Sequence, residues 1–273
     1  MMDARLARLN AVLDTFPTVL IAYSGGVDSA CLLCAAHRRL GRRALGVIAD
    51  SPSLPRAELA AAIRLAHDMG APLEVVQSRE FDDPNFVANP TDRCYFCKHA
   101  LFREMKRIAT EQGFTVLAYG ENADDEAEWR PGARAAAEFQ VRIPLREAGL
   151  TKADVRDLSA QWGLPTAEKP SSPCLSSRIP HGTPVTVQAL ARVESGEAAI
   201  RALGFRVFRL RHHESRARIE FALDEIERAQ GEPWRSRVIQ AALAAGYGEV
   251  EIDPRGYRGA GVAGRDSLTA RRS

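Results

Sequence analysis

Long apolar runs are missing from this 273-residue chain. No stretch approaches the roughly 20 consecutive apolar residues needed to cross a bilayer. The opening MMDARLARLNAVLDTFPTVL places Asp3, Arg5 and Arg8 where a secretory signal has an uninterrupted apolar core. Membrane insertion and secretion are therefore not expected, and a cytoplasmic protein is. Net charge is nearly absent too, with 37 Lys and Arg against 35 Asp and Glu for a formal +2. Bulk electrostatics give no pull toward nucleic acid or a membrane surface. Cysteine is scarce and odd in number, five in all. In a reducing compartment that excludes a disulfide framework and releases the thiols for metal binding or catalysis. What is present is ordinary for a soluble globular chain: 45% hydrophobic and 26% charged residues, enough for a sizeable core in one large or two small domains.

The pattern along the chain alternates. Residues 4–14 have Leu6, Leu9, Val12 and Leu13 at helical spacing. Compact apolar runs at 18–23, 44–49, 73–77 and 115–119 read as strands, with a fifth at 140–145. Helices are expected over 30–40, 56–69, 100–111 and 152–162. Apolar strands alternating with helices predict an α/β fold, a parallel sheet with helices on both faces, over residues 1–166. Residues 167–186, rich in Pro and Ser, read as a linker. A smaller α+β domain is expected over 187–254, with helices at 187–203 and 235–245 and a mostly antiparallel sheet from 205–210, 217–221 and 249–252. Residues 255–273 read as a flexible basic tail.

Ser24-Gly25-Gly26-Val27-Asp28-Ser29 lies between the first strand and its helix. Two glycines let backbone N–H groups approach a phosphate, the helix N-terminus adds its dipole, and Ser24 and Ser29 add hydroxyl donors. A carboxylate at Asp28 repels phosphate unless a cation stands between them, which makes it a Mg²⁺ ligand candidate. The alternative is a tight turn capped by Ser and Asp. No Gly-Lys-Ser/Thr follows, so this is not a Walker A loop. Asn122, Asp124 and Asp125, after the fourth strand, are further hard oxygen ligands suited to Mg²⁺, or a solvated acidic turn. The hexapeptide resembles the PP-loop of the adenine nucleotide α-hydrolase superfamily. That implies ATP bound there, pyrophosphate as a product, attack at the α-phosphate, and Asp50 and Ser51 near the adenosine.

The cysteines fall into three groups. Cys31 and Cys34 lie in an apolar helix and read as core filler. Cys94-Tyr95-Phe96-Cys97 follows a polar loop, with Arg93 and Lys98 beside it to favour thiolate. Cys174 sits among prolines and serines in an irregular segment. The trio Cys94, Cys97 and Cys174 fits a zinc site completed by His99 or His181, or a [4Fe-4S] cluster with one iron left open.

The segment KPSSPCLSSRIPHGTPVT at 169–186 resembles the signature of the LarE family of ATP-dependent sulfur transferases. The match extends through GENADD at 120–125, Arg130-Pro131-Gly132, RLRHH at 209–213 and ARIE at 217–220, covering nearly the whole chain. The resemblance implies a substrate, pyridinium-3,5-biscarboxylic acid mononucleotide, whose carboxylate is adenylated and then receives sulfur. The product is the organic part of the nickel-pincer cofactor of lactate racemase. It implies Cys174 as the catalytic cysteine, and Cys94, Cys97 and Cys174 as ligands of a [4Fe-4S] cluster that supplies the sulfur. Family members carrying only the Cys174 counterpart give up that residue's own sulfur. Arg209 and Arg211, two apart on a strand, would face the substrate phosphate. Glu197 carries over more weakly as an active-site carboxylate, against a solvated helix face. A trimeric or hexameric homo-oligomer is implied as well, with no nucleic-acid or membrane partner. The tail departs from the family at Pro254-Arg255, where apolar or acidic residues are expected.

Three other functions compete with this one. A tRNA-thiolating enzyme of the PP-loop class calls for an RNA-binding module and a strongly basic surface. An amidotransferase of the NAD- or GMP-synthetase kind leaves the three cysteines without a role. A non-catalytic nucleotide sensor releases no pyrophosphate.

Overall fold

A computed structural model describes residues 3–127, 131–170 and 173–257. Arg130 of the third family motif, and the tail from residue 258, lie outside the described residues. The chain divides into two units, Met1–Cys174 and Leu175–Ser273. Of the segment read as a linker, residues up to Cys174 belong to the first unit and the rest to the second.

The first unit is built on four short parallel strands: β1 (Val19–Ala22), β2 (Ala44–Asp50), β3 (Leu73–Gln77) and β4 (Val116–Tyr119), in the order β3-β2-β1-β4. Around them, in chain order, run α1 (Ala4–Leu13), α2 (Val27–Leu40), α3 (Arg56–Asp68), α4 (Pro84–Val87), α5 (Arg93–Gln112), α6 (Pro131–Glu138), α7 (Pro144–Glu147) and α8 (Lys152–Gln161). The period of two along each strand separates two cores. Val19, Ile21, Ile48 and Ala118 join a cluster with residues of α1, α2, α3 and α8, including Leu9, Leu33, Ala66 and Leu158. Leu20, Val47, Leu117 and Tyr119 join another with Phe102, Met105 and Ala135 from α5 and α6. Strands buried on both faces explain the unbroken apolar runs, and the α/β class follows directly.

The fifth strand does not form. Residue 142 makes a single bridge to Ala118, and the chain then turns into α7. Pro144 has no N–H for a ladder but suits the first position of a helix. The Glu147 carboxylate accepts from the Ile143 N–H at 2.9 Å and from Arg142 Nε at 2.9 Å, holding that turn. The α8 start was legible: Thr151 and Asp154 form a reciprocal capping box.

The second unit holds α9 (Val187–Ala202), β5 (Phe208–His213), β6 (Arg216–Phe221), α10 (Ile226–Gln230), α11 (Trp234–Ala244) and β7 (Glu249–Ile252). Its sheet is mixed rather than mostly antiparallel: β5 pairs with β6 antiparallel, and β6 with β7 parallel. The run expected as a strand at 205–210 forms three residues later. Phe205 is buried against Phe221 and Trp234 before the strand begins. Gly196 lets α9 lie on β5, since a Cβ there would meet the Leu210 side chain at 2.5 Å.

Candidate functional site

All four strands of the first sheet point the same way, so the loops after them share one edge. The order β3-β2-β1-β4 reverses direction at β1, and the crevice between β1 and β4 is where such sheets take ligands. Both loops flanking that crevice carry motif residues.

After β1, Gly25 has φ +69°, and a Cβ there would stand 2.5 Å from that of Ala62. Glycine is required on both counts. Gly26 caps α2 without a side-chain hydrogen bond. Within the loop, the Ser24 N–H donates to Ser29 Oγ at 3.1 Å, and Ser29 Oγ donates to the Gly26 carbonyl at 3.1 Å. After β4, Gly120 comes so close that a Cβ would lie 2.8 Å from the Ser29 nitrogen. The two loops are thereby pressed together.

That contact gathers the acidic residues. Asn122, fully buried, donates its Nδ2 to Asp28 Oδ1 at 3.3 Å and to Asp125 Oδ2 at 3.0 Å. Lys152 reaches Asp28 Oδ2 with its ammonium at 2.5 Å, while its backbone N–H donates to Asp124 Oδ2 at 2.8 Å. Among the described residues, no three His, Cys, Asp or Glu side chains close on one ion-sized point. A three-carboxylate magnesium cage is therefore not preformed by Asp28, Asp124 and Asp125. Mg²⁺ does not need one, since it commonly takes one or two carboxylates together with substrate phosphates.

Two lysines escaped the sequence reading. Besides Lys152, Lys169 donates to the Gly25 carbonyl at 3.0 Å and to Glu58 Oε2 at 2.5 Å, pinning the signature segment to the phosphate loop. Its only signal was membership of that segment. Asp50 is held by Arg56, which lowers its pKa, and accepts from Gln77 Nε2 at 3.3 Å. Ser51 donates its hydroxyl to Glu80, a buried carboxylate in the turn after β3.

The thiols separate as their surroundings differ. Cys31 and Cys34 are buried in the apolar core, and burial pushes the Cys31 thiol up to about 12. Cys94 and Cys97 lie on the first turns of α5, which begins at Arg93 rather than near residue 100. Burial raises both, and Cys174, distant in sequence, acts electrostatically on each in the same direction. The helix N-terminus acts in the opposite sense, favouring thiolate. His99 instead packs edge-on against Phe139, centroids 5.0 Å apart, and His181 is exposed in the second unit. The nearby Glu80 carboxylate also pushes the Cys97 thiol up. A single zinc needs four ligands about 2.0–2.3 Å from one point, which the described residues do not supply.

In the second unit, β5 alternates buried and half-exposed residues, so Arg209, Arg211 and His213 share the face turned away from the core. Arg211 donates to Glu220 Oε2 at 2.9 Å and to the Ser177 carbonyl at 3.1 Å. Burial, with the charges of Arg178 and Arg211 nearby, lowers the pKa of Arg209, whose guanidinium lies 4.8 Å from the Tyr257 ring centroid. Arg178 is itself buried and forms a two-point pair with Glu197 at 2.9 and 3.1 Å. Glu197 is thus an anchor inside the unit, and the solvated-face reading of it is wrong. Arg178 donates to the Ser177 hydroxyl at 3.0 Å and Arg211 to its carbonyl at 3.1 Å, with the charge of Arg209 felt by both, an arrangement suited to an anion.

A parallel sheet with this glycine–aspartate loop at its crossing point defines the PP-loop class of ATP-pyrophosphatase-like α/β domains. Distant similarity agrees: the tRNA-specific 2-thiouridylase MnmA of Rickettsia peacockii is 26% identical over 224 residues, covering 68% of this chain and 60% of the relative. Within that class the chain belongs to the LarE family. It is 33% identical over 264 residues to the pyridinium-3,5-bisthiocarboxylic acid mononucleotide synthase of Lactiplantibacillus plantarum, covering 96% of this chain and 94% of that enzyme. It is also 38% identical over 258 residues to the uncharacterised protein slr1717 of Synechocystis, covering 94% and 96%. No family model matches the chain.

Proposed function

We propose that this protein is an ATP-dependent sulfur transferase that converts pyridinium-3,5-biscarboxylic acid mononucleotide to its thiocarboxylate form for nickel-pincer cofactor synthesis, serving the maturation of lactate racemase or a relative. Family membership supports the reaction. The observation that supports the sulfur chemistry is that Cys174 acts electrostatically on both Cys94 and Cys97, in the unit that holds the phosphate loop.

ATP takes the loop Ser24–Ser29, with its phosphates on the backbone N–H groups and the α2 N-terminus. Asp28, Asp124 and Asp125 would supply oxygen donors to Mg²⁺, which would neutralise charge on those phosphates when bound, and Lys152 would exchange its carboxylate partner for phosphate oxygen. Asp50 and Ser51, at the end of β2, border the adenosine. A substrate carboxylate oxygen attacks the α-phosphorus, the bond to the β-phosphate oxygen breaks, and pyrophosphate leaves. The acyl-adenylate is electrophilic at carbon. Attack by sulfur there expels AMP and leaves a thiocarboxylate. Cys94, Cys97 and Cys174 would hold a [4Fe-4S] cluster, which supplies that sulfur when bound. Arg209 and Arg211 bind the substrate phosphate. A cytoplasmic homo-oligomer, trimeric or hexameric, belongs to the same reading.

The test is pyrophosphate release from ATP with the dicarboxylate mononucleotide as acceptor, run beside unmodified tRNA. Release and thiocarboxylate formation with the mononucleotide alone are expected. Turnover on tRNA, with none on the mononucleotide, would replace the reading with tRNA thiolation.

A further inference from the structure

The chain just beyond β7 has no role in the function described above, yet it folds onto the arginine face of the second unit. Asp253, 4% exposed, donates its N–H to the Ile219 carbonyl at 2.8 Å, continuing the β6–β7 pairing. Arg255 closes over the Asp253 carboxylate through Nε at 3.1 Å and Nη2 at 3.0 Å. Gly256 then has φ +70°, and a Cβ there would stand 2.9 Å from the Phe221 carbonyl oxygen. Glycine alone suits that turn. The Tyr257 N–H donates to the same carbonyl at 2.6 Å. The turn sets the Tyr257 ring over the Arg209 guanidinium, 4.8 Å from its centre.

The two outer arginines of β5 are supported differently. Arg211 stands opposite Arg218 on β6, a like-charge pair that costs stability unless it is bridged. The Glu220 carboxylate bridges it, accepting from Arg211 Nε at 2.9 Å and from Arg218 Nη2 at 3.1 Å. Arg209 donates Nη1 to the Phe208 carbonyl at 2.7 Å and takes the Tyr257 ring on its face. A ring engages the flat side of a guanidinium, whereas the N–H donors point outward in its plane. Stacking therefore holds the side chain without competing for the donors that a phosphate needs. It also removes rotamer freedom before the ligand arrives, so less is lost on binding.

We propose that Tyr257 is a positioning residue for the substrate phosphate, its ring fixing the Arg209 guanidinium on the outer face of β5. The inference rests on the reading of Arg209 and Arg211 as the phosphate site. Residues 253–257 thereby belong to the substrate site.

The experiment compares full-length wild type, Tyr257→Phe, Tyr257→Leu, Arg209→Ala and the Arg209→Ala/Tyr257→Leu double variant. For each, kcat and the KM for the mononucleotide and for ATP are taken from pyrophosphate release. Tyr257→Leu should raise the KM for the mononucleotide about fivefold, the scale of one cation–π contact, with kcat and the KM for ATP unchanged. Tyr257→Phe keeps a π face and should stay within about twofold of wild type. In the Arg209→Ala background the Leu substitution should add nothing, because the group it supports is gone. Equal effects of Leu with and without Arg209, or a Phe variant as impaired as Leu, would overturn the proposal. If Tyr257→Leu fails to fold, Tyr257→Met takes its place in the cycle under the same criteria. An unchanged mononucleotide KM in Arg209→Ala would instead remove the phosphate reading, and the inference falls with it.

Discussion

Two helices of the first unit carry the same cysteine spacing, and they do different things with it. Cys31 and Cys34 sit inside α2 behind the phosphate loop, wrapped by the apolar core. Cys94 and Cys97 sit on the opening turns of α5, where Glu80 and Cys174 act on them electrostatically. The spacing places both thiols of each pair on one helix face in either case. What separates the two pairs is what the fold brings to them: apolar side chains around the first, ionisable groups around the second. The arginines repeat the lesson. Arg178 is closed inside the second unit by Glu197, whereas Arg209 and Arg211 stand on the outer face of β5.

The sharpest break between the cysteine pairs comes from exchanging sulfur for oxygen. Cys97→Ser should lose its iron and all measurable sulfur transfer, with pyrophosphate release intact, whereas Cys31→Ser should keep its iron. Metal analysis and mass spectrometry of the product check both; retained iron in the first variant would put the ligands elsewhere. Next in size is Asp28→Ala, at the loop behind which Cys31 lies. Pyrophosphate release should fall by roughly 10²–10³ through loss of charge neutralisation at the phosphates, while iron content stays at the wild-type level. Steady-state assay of pyrophosphate decides it, and unimpaired release would take Asp28 out of the mechanism. Arg211→Ala should raise the KM for the mononucleotide by about tenfold, near 1.4 kcal/mol, with little change in the KM for ATP. Equal effects on both substrates would mark Arg211 as structural.

The smallest effect lies in Cys31 and pH. Its thiol, raised by burial to about 12, is near 8.5 in an unfolded chain. Between those values the unfolded chain has released the proton and the folded one retains it. Stability therefore falls as pH rises through that window, and the group has no influence below it. Cys31→Ala should flatten that decline relative to wild type in urea unfolding measured from pH 8 upward. Parallel curves would contradict the burial argument.

Much of this was legible in the sequence, for identifiable reasons. Four strands announced themselves because burial on both faces leaves no polar alternation. The phosphate loop was visible because glycines, serines and an aspartate at fixed spacing serve one geometry. The fifth strand failed because Ile143 and Leu145 look like strand residues until Pro144 and Glu147 turn the chain. The start of α5 was missed because Arg93 to Lys98 mixes charge, aromatic and thiol with no clear period. Glu80, Lys152 and Lys169 were invisible as site residues. Each is an ordinary charged side chain whose meaning lies in its partner across the fold: Ser51, Asp28 and Gly25 respectively.

The most direct measurement of the central claim is iron and labile-sulfide content after anaerobic purification, followed by the mass of the Cys174 peptide after turnover. About four irons per chain, with an intact cysteine at 174 after several cycles, is the expected result. A colourless protein whose Cys174 has become dehydroalanine after a single turnover would contradict it.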